Sequence, residues 1–443
     1  MNQSLFAPGY KSVPYWWERT PRPELPEAAP PARAEVAIIG SGYTGLSAAI
    51  QTARGGRHSV VLDAEDAGWG CSSRNGGQIG TSIKPDFETL AARHGGETAL
   101  RILREGHDAL EWIGDFIASE GIDCDFKRIG RFTGAHNPAS YEKLARSLAK
   151  QPKGLEIEAH MVPRAEQHGE LGTDLYHGGM VIARHAALDP ARYHQGLLER
   201  ALAAGVEVVT RCAVTGIERA GPGDGPGGGG GGFRLRTARG SLEARDVIVA
   251  TNGYTGGLTP WQRRRVIPIG SYMIATEPLP EAQMDRLMPR DRVHSDTRKM
   301  VYYYRASPDR RRVLFGGRVS LSETDPRRAT PRLHAELTRI FPELAETRVT
   351  HGWMGFVAYT FDKLPHLGRR DGIHYALGYC GSGISLASYF GARIGQQLLG
   401  RAEGRTGLDG LRFSGRPYYW GRPWFLAPAI RYYRWHDSLS VGG

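Results

Sequence analysis

Six residues near the start carry the most specific chemistry of this chain: Gly40-Ser41-Gly42-Tyr43-Thr44-Gly45. Glycines at this spacing let a backbone turn tightly, approach a pyrophosphate and pack a helix closely on a strand. The amides and partial positive charge of a helix N-terminus then face the phosphates. The spacing alone is weak evidence, because 59 of the 443 residues are glycine. Its surroundings strengthen it. Glu35 to Gly40 (EVAIIG) reads as a buried strand, Thr44 to Arg54 as a helix rich in small residues, and Ser59 to Asp63 (SVVLD) as a second strand. Asp63 lies 18 residues past Gly45, close to the ~20 expected for an acid on a ribose hydroxyl. These residues predict a βαβ corner for an adenine dinucleotide, either FAD or NAD.

After Asp63 comes Gly68-Trp69-Gly70-Cys71-Ser72-Ser73-Arg74-Asn75-Gly76-Gly77-Gln78. With that run included, Gly40 to Gln78 resembles the FAD-binding start of the D-amino-acid-oxidase-like flavoenzymes. Among them it is most similar to gamma-glutamylputrescine oxidase and its relatives, which show a G-x-G-Y-T-G-L-S start and an S-x-R-N-G-G loop. Further matches follow in order: Thr251-Asn252-Gly253, then Leu314-Phe315-Gly316-Gly317-Arg318. After these come Trp353 and Gly355 with Thr360, Asp362 and Pro365, and lastly Gly378-Tyr379-Cys380-Gly381-Ser382-Gly383.

The resemblance implies a role for each matched position. Gly40, Gly42, Tyr43, Thr44, Gly45 and Asp63 would hold the ADP half of FAD. Ser72, Ser73, Arg74, Asn75, Gly76 and Gly77 would wrap the pyrophosphate and approach the isoalloxazine. Val214 would meet the adenine side through its backbone, with Thr251 at the neighbouring strand end. Gly381, Ser382, Gly383 and Ile384 would set amides and a helix N-terminus beside the flavin N1/C2 carbonyl, where charge develops on reduction. The chain departs from the pattern at Ser382, where many relatives carry His, and at Cys380, where Ser is frequent. Non-covalent FAD is expected, with Cys71 and Cys380 as small packing residues near the flavin rather than nucleophiles.

The implied chemistry is hydride transfer from the carbon beside an amine nitrogen to flavin N5, followed by hydrolysis of the imine. Such a reaction needs a neutral amine, a dry pocket and orientation more than a strong base. The expected catalytic or substrate-facing residues are Tyr302, Tyr304, Arg318 and Trp353, with Tyr303 and Arg305 as neighbours. Tyrosine and tryptophan can cage an amine, and Arg305 or Arg318 can hold a carboxylate bidentately. His185 and His366 are read as structural. The partners expected are a small amine or amino acid and either oxygen or another electron acceptor. The alternatives kept open are a D-amino-acid or secondary amino-acid dehydrogenase passing electrons to a quinone, a non-catalytic FAD-binding redox subunit, and an NAD-dependent dehydrogenase.

These residues need a scaffold, and the pattern of the chain predicts one. The fold class expected is α/β (α+β), a Rossmann-type FAD-binding domain with a second, mostly antiparallel β-sheet substrate domain. Residues 1–33 would form an arm and linker, its prolines favouring extended chain and its Tyr15, Trp16 and Trp17 packing on the body or against a second subunit of a homo-oligomer. Residues 34–90, 180–255 and 350–405 would build the FAD domain, residues 91–179 and 256–349 the substrate domain, and residues 406–443 a tail. Phe87 to Glu120 reads as amphipathic helix, Leu188 to Ala204 as a helix capped by Asp189, and residues 266–350 as short strands and turns. Gly221 to Gly232 (GPGDGPGGGGGG) reads as an excursion lengthening a hairpin turn.

Composition excludes several classes. A net charge of +11 is read as a solvated basic surface, since Arg263 to Arg265 and Arg310 to Arg312 lack interleaved aromatics for stacking bases. Nucleic acid is therefore not expected as a partner. The four cysteines are scattered, without metal-ligand spacing, so no metal and no disulfide framework are expected. The absence of a signal-like start or a long apolar run leads to an expectation of a soluble, cytoplasmic protein. The aromatic, basic tail Pro417 to Trp435 is expected to pack on its own domain rather than on a membrane surface.

Overall fold

A computed structural model describes residues 5–81, 83–220, 232–318 and 323–439. The glycine-rich excursion falls on residues 221–231 and lies outside them. Two large sheets organise the chain. The first is built on the expected βαβ corner. Strand Arg33–Ile39 lies parallel between Ser59–Leu62 and Gly240–Val249, and Ile373–Leu377 joins the last of these in parallel. The central strands are apolar on both faces, as a sheet covered on two sides requires.

The second sheet has nine strands and is mostly antiparallel. At its centre Val266–Thr276 pairs with Val349–Thr360 on one side and with Val313–Gly317 on the other. Beyond these lie Tyr303–Ala306, Val293–Asp296, Arg131–Gly134, Gly179–Ile182 and Ala159–Val162. Two boundaries differ from the sequence reading. Val349–Thr360 and Gly179–Ile182 belong to this sheet, although residues after 350 and after 180 were expected in the first domain. The long strand Val349–Thr360 pairs with Val266–Thr276 from one end to the other.

The arm packs on its own body. Strand Phe6–Lys11 adds in parallel to Val349–Thr360, and Tyr15 and Trp16 are buried against Met273, Leu314 and Trp353. The helical stretch 87–120 is broken by Gly95, whose φ of +82° only glycine adopts freely, into Phe87–His94 and Gly96–Ser119. Helix Pro190–Ala203 is capped as expected, Asp189 accepting from the amides of Ala191 and Arg192. A helix not foreseen, Pro326–Ile340, lies within the stretch read as strands. Its prolines mask a helical spacing of Ala329, Leu333, Leu337 and Ile340, all buried in the second core.

What positions the site is the contact between helices Tyr43–Arg54 and Gly383–Leu398, which come from opposite ends of the sequence. A Cβ on Gly391 would stand 2.4 Å from the Thr44 carbonyl oxygen, so only glycine allows this approach. The Thr44 hydroxyl and the Tyr379 phenol then hydrogen-bond at 2.7 Å.

The second core also holds a histidine. His294 is fully buried and stacked on Tyr304, with ring centroids 5.3 Å apart. Burial and the charge of Arg131 hold its pKa down to about 3. The folded chain therefore leaves this imidazole neutral, whereas the unfolded chain protonates it below pH ~6.5. Protons pull the equilibrium toward unfolding as pH falls from about 6.5 toward 3. Stability of the wild type should decline below pH ~6.5 more steeply than that of His294→Leu, by about 1.4 kcal/mol per pH unit. Urea midpoints across that range measure the difference, and parallel declines would contradict it.

Candidate active site

A cavity of about 2070 Å³ lies between the two sheets, and most of the residues singled out above line it. At one end stands the glycine corner. Gly40 has φ +107°, and a Cβ there would meet the Ala250 carbonyl at 3.0 Å. A Cβ on Gly45 would fall 1.8 Å from the Gly40 carbonyl oxygen, so this glycine packs the corner from behind and does not face the cavity. Gly42 begins helix Tyr43–Arg54 without a side-chain cap, leaving first-turn amides for a ligand. Ser72 Oγ accepts from the Tyr43 amide at 3.0 Å, tying the next loop to the helix start. Asp63 accepts from the Ser41 amide at 2.7 Å and the Ser41 hydroxyl at 2.6 Å. Its carboxylate still has lone pairs for a ribose hydroxyl. Val214 and Thr251 close this end.

The loop from Gly68 to Gly77 crosses the middle of the cavity, and its shape is imposed from outside. Arg74 places its guanidinium 4.5 Å from the ring of Trp69 and 4.5 Å from that of Trp17 in the arm. Arg22 covers Trp17 at 4.1 Å. The Trp17 indole donates to Ser73 Oγ at 2.7 Å and the Trp16 indole to the Asn75 carbonyl at 2.9 Å. Arg74 itself donates to the carbonyls of Trp69 and Met354. Asn75 closes the loop on itself, its amide nitrogen reaching the Cys71 and Ser72 carbonyls. Ser72, Arg74, Asn75 and Gly76 line the cavity, whereas Ser73 and Gly77 face protein. Gly77 could not carry a Cβ, which would meet the Leu188 carbonyl at 2.2 Å.

Gly378 to Gly383 forms the opposite wall, where Gly381, Ser382, Gly383 and Ile384 all line the cavity at the start of helix Gly383–Leu398. Cys71 and Cys380 line it too, and burial pushes both thiols up to about 11. Neither is a thiolate near neutral pH, which fits packing rather than nucleophilic attack. A glycine-lined corner, an acid beyond it and a second helix start across the cavity together suit a long dinucleotide with phosphates at one end and a flat ring at the other.

The substrate-facing residues fall differently from the sequence reading. Tyr302 stacks on Phe315 with centroids 5.5 Å apart, and Tyr304 donates to the Tyr176 hydroxyl at 3.2 Å. Both lie in the second core. Trp353 is buried, its indole donating to the Arg74 carbonyl at 2.8 Å. None of the three lines the cavity. Tyr303, between them, does, because Gly316 opposite lacks the Cβ that would stand 2.5 Å from its ring. Arg305 is consumed by the carbonyls of Gly77, Leu188 and Ala306. Arg318 lines the cavity but donates to Glu323 at 2.8 Å and to the Gly270 carbonyl at 2.6 Å.

Other groups facing the cavity carried no sequence signal. These include Lys84, Arg131, Thr133, His185, Ser271, Tyr254, Lys299, Tyr359 and Lys363. The tail adds Tyr418, Trp424, Phe425, Ile430 and Tyr433 to the wall, held by the Tyr419 hydroxyl donating to the Val266 carbonyl at 2.7 Å. It packs on its own body, while Tyr418, Trp420, Trp424, Tyr432 and Trp435 stay largely exposed. Among the described residues no helix is long and apolar enough to cross a membrane.

Comparison with known proteins agrees with this geometry. The DAO family model, described as FAD dependent oxidoreductase, matches residues 35–397. A probable oxidoreductase OrdL of Rhizobium meliloti (strain 1021) is 32% identical, covering 99% of this chain and 99% of its own. The gamma-glutamylputrescine oxidoreductase of Escherichia coli (strain K12) is 30% identical over 92% of this chain and 93% of its own. The crystal structure of glycine oxidase from Geobacillus kaustophilus superposes with a TM-score of 0.70 at 17% identity, covering 88% of this chain and 100% of that one.

The arm's grip on the Gly68–Gly77 loop is open to test. Trp17→Ala removes one face of the Arg74 stack and the bond to Ser73, and should weaken FAD binding roughly tenfold. Titration of the apoprotein with FAD, followed by flavin fluorescence, measures it. Unchanged affinity would mean that the loop holds its shape without the arm.

Proposed function

Because the chain belongs to the DAO family of FAD-dependent oxidoreductases, we propose that it oxidises a carbon–nitrogen bond in a small amine or amino acid. Bound FAD supplies the hydride acceptor for such a reaction. The glycine corner, Asp63 and the Gly68–Gly77 loop would hold its ADP half, and Gly381 to Ile384 would face the ring. The imine product hydrolyses in water to a carbonyl compound and an amine or ammonia.

The observation that carries this reading is the state of the acids in the cavity. Among the described residues lining it, the carboxylates are Asp63, Glu65 and Asp296. The first two belong to the glycine corner. Asp296 is paired with Arg298 at 2.5 Å and accepts from the Tyr302 amide at 3.2 Å. Burial, the largest influence on it, raises its pKa to about 6 despite Arg298. Outside the glycine corner, no carboxylate among the described lining residues is left unengaged as a strong base, which suits hydride donation from a neutral amine. Tyr303 and Tyr359 are pushed up to about 12 by burial, so both present neutral phenols to the cavity. An enclosed aromatic wall favours the uncharged amine, because desolvation penalises the ammonium form. Similarity to the gamma-glutamylputrescine oxidoreductase supports an amine or ω-amino-acid substrate over a plain D-amino acid.

Anaerobic addition of amines to the holoprotein should bleach the yellow flavin absorbance. The rate at subsaturating substrate should climb with pH toward the amine pKa of about 10, since only the neutral form donates. Bleaching by D-amino acids alone would reject the amine reading, and no bleaching by any amine or amino acid would reject the enzyme. Release of hydrogen peroxide on readmitting air separates an oxidase from a dehydrogenase.

A further inference from the structure

The tail buries one face and leaves another bare. In helix Leu426–Leu439 the side chains of Leu426, Ala429, Ile430 and Tyr433 line the cavity, at helical steps of three and four residues. Tyr432 and Trp435, three apart on another side of the helix, keep 56% and 59% of their surface exposed, and Arg431 beside them is exposed as well. Before the helix, Trp420 and Trp424 are 64% and 66% exposed, and Tyr418 meets Trp424 edge-on at 6.4 Å. Tyr418 and Trp424 also line the cavity, so this aromatic surface lies at its mouth. A single exposed apolar side chain needs no explanation, whereas a contiguous group of large rings marks a contact surface.

The same surface is basic. Between Asp409 and Asp437 the chain carries five arginines and no acid. Among the described residues, Arg412, Arg416, Arg422 and Arg431 are exposed and form no ion pair. Arg264 lays its guanidinium on the Trp420 ring at 4.3 Å, which joins the tail to a second group of arginines on the body. There Arg265 stacks on Trp261 at 4.0 Å. Burial, then the charge of Arg370, lowers the pKa of Arg265, with Arg264 and Arg412 adding to the effect. Asp371 answers one of these cations, pairing with Arg370 at 3.1 Å.

The geometry and the charge discriminate between possible partners. Single-stranded nucleic acid stacks its bases on open ring faces along a groove. Here Arg264 covers a face of Trp420, and the pairs Tyr418–Trp424 and Tyr432–Trp435 are inclined at 73° and 47°. A second copy would set these arginines against their own kind, on chains that each carry a net charge of +11. An anionic bilayer meets both requirements together. Tryptophan and tyrosine rings settle at headgroup level, and arginines pair with the lipid phosphates around them.

We propose that the outer face of the tail, from Trp420 to Trp435 with Arg264 beside it, docks the protein on the surface of a bilayer containing anionic phospholipid, with the cavity mouth toward the headgroups. The contact is peripheral, because the inner face of the helix stays against the body and the cavity.

Sedimentation of the oxidised holoprotein at low salt, with vesicles of phosphatidylcholine alone or carrying about one-third phosphatidylglycerol, tests this. The protein should follow the anionic vesicles and stay behind with the neutral ones. Raising the salt to about 0.5 M should release most of it. Arg422→Ala combined with Arg431→Ala should weaken binding roughly 30-fold, as loss of two surface cations does. Trp420→Ala combined with Trp435→Ala should weaken it roughly tenfold or more, by removing the rings that enter the headgroup layer. Both double variants should keep the flavin content and melting temperature of the wild type, since all four side chains are exposed and none lines the cavity. Equal sedimentation with neutral and anionic vesicles, none with either, or undiminished binding by both double variants overturns the proposal. A concentration-dependent dimer that the tryptophan variant dissolves, in a protein that ignores vesicles, would give the face to a second copy instead. Tighter binding to a DNA duplex than to the anionic vesicles would give it to nucleic acid. None of these outcomes depends on whether an amine bleaches the flavin.

Discussion

The site depends on one guanidinium held between two indoles. Arg74 is largely withdrawn from water, has no carboxylate ion-pair partner among the described residues, and burial lowers its pKa. What compensates is the pair of π faces from Trp17 and Trp69, together with the carbonyls of Trp69 and Met354. Each partner belongs to a different piece of structure: the arm, the loop itself and the long strand Val349–Thr360. Arg74 therefore ties the loop to both its neighbours with one side chain. The cavity-facing atoms of Ser72, Asn75 and Gly76 inherit their positions from that tie. A lysine would not replace it, because a compact ammonium cannot stack on two rings and reach two carbonyls together.

The first sheet and its ligand corner were legible because their determinants are local. Gly40, Gly42, Gly45 and Asp63 act through backbone sterics and chain spacing, which a linear sequence displays directly. The second sheet was legible as a sheet, but its facing was not. Tyr302, Tyr303 and Tyr304 are consecutive tyrosines, so nothing in their identity sets which alternate member looks into the cavity. The answer lies in the pairing of Tyr303 with Gly316, a partner whose missing side chain leaves room for a ring. Arg305 and Arg131 show the same limit. Each is an arginine in a short strand, yet one is spent on carbonyls and the other opens on the cavity. His185 reads as isolated in sequence and becomes meaningful only when Arg131 arrives beside it.

The cavity is electrically graded along its length. Asp63 and Glu65 stand at the end of the glycine corner, where backbone amides and the start of helix Tyr43–Arg54 supply the compensating positive field. Lys84 and Arg131, with Lys363 nearby, stand toward the Gly381 wall. Side chains thus provide the cations at one end and the main chain provides them at the other. The division has a geometric basis. Amides pack close to a ligand but cannot move, whereas long side chains reach across a wider space and adapt to different guests.

The tail that completes the wall has a consequence for biosynthesis. Residues lining the cavity run from Ile39 to Tyr433, nearly the whole described sequence. While the ribosome is still making the middle of the chain, the glycine corner can form as a local unit, but its opposite wall does not yet exist. Contacts between such distant segments are slow to close and leave apolar surface exposed meanwhile. The complete cavity therefore exists only once the tail has been made. The nascent protein must survive until then with a large aromatic-lined hollow open to chaperones and proteases.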